Sequence, residues 1–292
     1  MTDPNASRPN EDALSQHARE ILERAEREVH RSRVSVPTSR VALFPGLLLF
    51  LIDFRALVRG AMLSVFALGL TTIFQQFMHF MRGGMIDQFF AIALGMLMGP
   101  LVLVYLTAAA VCGLTILQDT AHGYDKVQQW PGRNFVDWMF DAIYVFNPLW
   151  LAALPGLLLG QVPFWLGVSG QRPALLLGVV SVWGLFPMLL LSVVESGSAL
   201  NLWSQAIFRQ FRAHRTLVKP LYLVSAGLVL GGLLAFHFLT RTWFPLRVLG
   251  AVGVNLAVWL YFRLLGRLAG LMGNPSDSAE SATGARHSAP GS

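Results

Sequence analysis

The 292-residue chain is 54% hydrophobic and only 13% charged, with a mean hydropathy of +0.54, which excludes an ordinary water-soluble domain. Its net charge of +6 is scattered among segments that flank apolar runs, so the basic balance implies no nucleic-acid partner. A single cysteine, Cys112, excludes an intrachain disulfide and a cysteine metal cluster.

Residues 1–10 are polar, and Met1–Arg33 has no apolar core of the kind a signal peptide needs. Glu11–Arg33 is predicted as an amphipathic helix. Leu14, Ala18, Leu22, Ala25 and Val29 form its narrow apolar stripe, and Glu20–Arg24 and Glu23–Arg27 stand at supporting i,i+4 spacing. Two readings stay open: a short coiled coil for self-association or a protein partner, and a solvated juxtamembrane helix. A linker through Pro37 completes an N-terminal segment, 1–40. Val41–Ile52 is uncharged but, at about 18 Å as a helix, too short to cross a bilayer. It is expected to lie in the interface, with re-entry as the alternative.

Six runs are then long and apolar enough to span about 30 Å of hydrocarbon. They are Gly60–Met81, Phe89–Ile116, Ala142–Val168, Ala174–Val194, Leu221–Leu239 and Trp243–Leu264. The fold class is therefore all-α, a polytopic membrane bundle occupying 41–272, followed by a disordered tail, 273–292. With both termini in the cytoplasm, 18 of the 22 Lys and Arg residues fall inside; only Arg82, Arg172, Arg241 and Arg247 fall outside. That bias is the positive-inside pattern. The excess of arginine over lysine points to a GC-rich bacterial genome and an inner-membrane location. Mixed apolar and charged stretches, Pro45–Arg59, Arg133–Asp141 and Ser198–Arg215, precede the odd-numbered spans. They predict three helical hairpins, each begun by a cytoplasmic interfacial helix. In the last stretch Trp203, Ile207, Phe208 and Phe211 share a face while Arg209, Arg212 and Arg215 are placed to meet anionic headgroups.

Gly167-Val168-Ser169-Gly170 resembles the GxSG nucleophile motif of rhomboid intramembrane serine proteases. The resemblance implies Ser169 as nucleophile and His237, on the same side of the membrane, as its base. The chain departs from that family at Gln171-Arg172-Pro173, and no glycines flank Phe236-His237-Phe238. Gln75, Gln76 and His79 in the first span, Asn147 beside Pro148, and Glu195 closing the fourth span are candidates for a polar lining or for bonds between helices. No ionisable group is expected well inside the membrane. Gly95 and Gly99, and Gly156 and Gly160, have the spacing of close helix packing. Pro148, Pro155 and Pro163 predict a bent or broken third span. The loop residues His122, Asp125, Asp137 and Asp141 lack metal-ligand spacing, so no metal and no cofactor is expected. Two functional classes follow: a non-catalytic scaffold, accessory subunit or small permease component, and a rhomboid-like protease.

Overall fold

The computed structural model describes residues 53–128, 130–132, 134–165, 172–240 and 243–272. The amphipathic stretch 11–33, the short apolar segment 41–52 and the tail from 273 lie outside the described residues.

Among the described residues there are seven helices and no strand. These are α1 (Phe54–Phe80), α2 (Met85–Ala121), α3 (Phe135–Trp165), α4 (Arg172–Ser196), α5 (Gln205–Ala213), α6 (Arg215–Thr240) and α7 (Phe244–Met272). All except α5 are long and apolar enough to cross a membrane, so the chain is a multi-pass membrane protein. Several ends are fixed by local chemistry. The Asp53 carboxylate caps α1 by accepting from the Arg55 amide, and the Asp87 carboxylate accepts from the Gly84 amide at the start of α2. Gly197, at φ +62°, turns the chain after α4 through a left-handed conformation that costs glycine nothing.

The helices outrun the apolar stretches on which they were predicted. Residues 54–59 and 135–141, expected within interfacial stretches, are instead the first turns of α1 and α3. Among the described residues, only the third such stretch forms a separate short helix, α5. The helix α3 runs unbroken through Pro148 and Pro155, which corrects the expectation of a break there. Two hairpins, α3–α4 and α6–α7, have the most extensive contacts, and α7 is the central element, touching α1, α2, α4 and α6. Gly60, in the second turn of α1, meets the Trp259 ring midway along α7, so the start of α1 and the C-terminal half of α7 share one end of the bundle.

Packing is set by backbone approach, because lipid supplies no hydrophobic drive between helices. A Cβ on Gly156 would overlap the Leu177 carbonyl oxygen of α4 and stand 2.7 Å from Ser181 Cβ. Gly250 lies equally close to the α6 backbone at Ala235 and Leu239, and Gly266 to the α2 backbone at Leu117. The core cluster follows these contacts, with Leu117, Leu190, Leu265 and Leu268 fully enclosed.

Candidate functional site

One set of polar residues converges on the seam between α1, α2 and α7. On α7, Asn255, Trp259, Arg263 and Arg267 recur at four-residue steps; on α2, Tyr105, Cys112 and Asp119 recur at seven. Both spacings keep successive side chains on neighbouring parts of a helix surface, and the stripes meet in three layers.

The deepest layer is a knot of neutral groups. Tyr105 Oη donates to Asn255 Oδ1 at 3.0 Å, and Asn255 Nδ2 donates to Ser64 Oγ at 3.3 Å and to the Ala251 carbonyl at 3.0 Å. The Ser64 hydroxyl in turn donates to the Gly60 carbonyl at 2.7 Å. One asparagine thereby joins three helices, with Tyr105 stacked on Phe66 of α1.

One turn nearer the end of α7, the middle layer packs Cys112, Trp259, Ala56, Leu63, Ile116 and Leu260 around Val127 of the α2–α3 loop. Trp130 of that loop stands on Trp259, their ring centroids 6.0 Å apart. The Arg59 guanidinium lies 4.9 Å above the Trp130 ring, close enough for cation–π attraction.

The last layer is ionic. Arg263 is 1% exposed, and its Nη2 donates to the Asp125 backbone carbonyl at 2.9 Å. The Asp125 carboxylate lies 3.6 Å from both Arg263 and Arg267. The Gln128 amide donates to the Asp119 carboxylate at 2.9 Å, tying the loop to the last turn of α2. Arg263 is thus a buried cation at the loop end of the bundle, compensated by a loop carbonyl and carboxylate as a buried charge must be.

The residues singled out from sequence are dispersed. Gln75 donates to the Thr240 carbonyl at 3.1 Å, joining α1 to the end of α6, while Gln76 and His79 are exposed. Asn147 does not serve the carbonyl freed by Pro148; its amide donates to Ala199 beyond α4 at 3.2 Å. Glu195 is exposed and accepts from Ser204 Oγ at 2.8 Å, and the same oxygen caps α5. His237 is exposed on α6, and Ser169 lies outside the described residues, as does any pairing of the two. Gly95 faces the Phe77 ring of α1, and Gly160, like Gly156, is buried. Gly99 meets no neighbour within 4 Å among the described residues, so the packing role expected of it finds no partner there. His122 bonds back to the Gln118 carbonyl, and among the described residues no three His, Cys, Asp or Glu side chains group as a metal site.

On α5, Ile207 and Phe211 are buried while Arg209 and Arg212 are exposed, as is Arg215 at the start of α6. Trp203 and Phe208, expected to share a face with Ile207 and Phe211, are instead largely exposed and stack on each other at 5.7 Å. What sequence reasoning missed is the seam itself. Its signal was the four-residue recurrence on α7, obscured because Arg263 and Arg267 read as hydrated charges at the end of a span. The chain matches no family model, no curated protein and no solved structure.

Proposed function

We propose that this chain is a non-catalytic membrane component, a scaffold or accessory subunit, set in a bacterial inner membrane with both termini in the cytoplasm. The observation that carries the reading is the use of the interior polar groups. Tyr105, Asn255 and Ser64 hydrogen-bond one another between helices, a role of polar groups in lipid that serves assembly rather than turnover. The orientation rests on charge. Arg55, Arg59, Lys126, Arg209, Arg212, Arg215, Lys219, Arg263 and Arg267 gather at the end where the described chain begins and finishes, as cytoplasmic flanks do. At that end Arg209, Arg212 and Arg215 face outward beside Trp203 and Phe208, a combination that suits anionic headgroups and the interfacial apolar zone above them.

The test uses full-length protein in nanodiscs treated with a fluorophosphonate, wild type beside Ser169→Ala. Neither is expected to be labelled. Labelling of the wild type that disappears in the variant would replace this reading with a serine-protease one. In cells, a photo-crosslinker at Met96, on the exposed face of α2, is expected to capture a discrete protein band in stoichiometric yield; lipid adducts alone would remove the scaffold role.

A further inference from the structure

We propose that two copies of this chain pair side by side, the acidic outward face of α3 in each copy meeting the basic, aromatic face of α5 in the other. The inference stands apart from the scaffold reading, which concerns other proteins. Chains that do not pair leave that reading as it is, and its failure leaves the pair.

Three observations carry it. The first is the character of α3 over its opening turns. Asp137 and Asp141 are exposed there among exposed apolar side chains, Val136, Phe140 and Ile143, and four-residue steps keep 136 with 140 and 137 with 141 on one outward face. No described lysine or arginine of the same chain forms an ion pair with either carboxylate. Lipid matches this face badly, because anionic headgroups repel both aspartates and hydrocarbon leaves them unsolvated. The second is that α5 presents the converse surface. Phe208 and Arg212, one turn apart, are exposed together with Arg209, and Trp203, 59% exposed, stacks on Phe208. Each surface offers rings beside charges, and the charges are opposite. The third is placement. Tyr144, on the turn after Asp141, donates its hydroxyl to the Gly197 carbonyl at 3.0 Å, and the Asn147 amide donates to the Ala199 carbonyl at 3.2 Å. The connection leading into α5 thus runs alongside α3, so both surfaces belong to one side of the molecule. Two such sides related by a two-fold axis satisfy each other reciprocally, and association closes at two copies. In the lone chain Arg209 and Arg212 meet headgroups; in the pair they exchange these for carboxylates, while Arg215 stays with lipid.

The experiment measures Förster transfer between full-length chains labelled with donor or acceptor at the C-terminus, in phosphatidylcholine vesicles, as a function of protein density in the membrane. Phosphatidylcholine supplies no anionic headgroup to compete for the arginines. The wild type is expected to show transfer above that of randomly placed monomers, falling on dilution with lipid. Asp137→Arg with Asp141→Arg, or Arg209→Asp with Arg212→Asp, sets like charges against each other and is expected to weaken pairing by about tenfold or more. Mixed together, the two variants are expected to pair with each other about as strongly as the wild type, since both contacts of the mixed pair again join opposite charges. Neither misfolding nor lipid binding produces that rescue. Random transfer in the wild type, a change within about twofold in either variant, or a mixture no stronger than its components would each overturn the pairing.

Discussion

Substitution of Gly156 by alanine adds one methyl group where α3 and α4 touch backbone to backbone. Ordinary Cβ contacts lie at 3.4–4 Å, but this Cβ would overlap the Leu177 carbonyl oxygen and stand 2.7 Å from Ser181 Cβ. No rotamer relieves a backbone clash, so the helices must part locally by about an ångström, and overpacking of this kind costs about 1–3 kcal/mol. Parting them also strains the Ser181 hydroxyl bond to the Ala152 carbonyl, 2.7 Å long, and an interhelical bond in lipid contributes about 0.6 kcal/mol. The combined loss of about 2–3 kcal/mol corresponds to a fall in melting temperature of about 3–5 °C for a protein of this size. Gly227→Ala is the paired control: Gly227 is exposed on α6 with nothing within 4 Å, and removing a mid-helix glycine there stabilises by about 0.5–1 kcal/mol. Thermal unfolding in one detergent, followed by size-exclusion chromatography, compares the two directly. Gly156→Ala melting at or above the wild type would refute the claim that backbone approach sets this interface.

Three further outcomes are expected. A double-mutant cycle of Tyr105→Phe and Asn255→Ala, read by unfolding in mixed micelles, is expected to show coupling of about 0.6–1.7 kcal/mol, and additivity would break the knot. Ser204→Ala removes both the cap of α5 and the partner of Glu195; a loss of about 1 kcal/mol is expected as faster proteolysis confined to the α4–α6 connection, with α1 and α2 protected as before. Arg209→Gln with Arg212→Gln and Arg215→Gln is expected to reduce the anionic lipid retained in native mass spectra from mixed-lipid nanodiscs, by about 1 kcal/mol per charge, while neutral lipid is retained unchanged.

The spans were legible because lipid imposes a length and a lack of charge, and both can be read residue by residue. Their true ends were less so. Arg55, Arg59 and Asp137 look like the close of an apolar run, yet a helix carries charges past the interface, and Arg59 does so by lying on Trp130. Gly156 announced its packing through its spacing from Gly160, but the same interval at Gly95 and Gly99 leaves Gly99 without a neighbour, because spacing does not say which face meets a helix. Gly266 and Gly270 share the interval and both abut the α2 backbone. The seam was written in the four-residue recurrence along α7, but its counter-ion, Asp125, is a loop residue 138 positions from Arg263. Only the fold brings them together.

The length of α2 has a consequence for the membrane itself. Its 37 residues make a rod of about 55 Å, whereas the 21-residue apolar part of α4, Leu176–Ser196, measures about 31 Å, the depth of one hydrocarbon layer. Even the uncharged run of α2 alone, residues 88–118, is about 46 Å long, more than an upright helix can bury in that depth. The longer one leans, or the lipid around it thickens, and either response grows as acyl chains shorten. Chain length in the surrounding lipid therefore acts on α2 as a lateral torque, pressing its angle against α1 and α7.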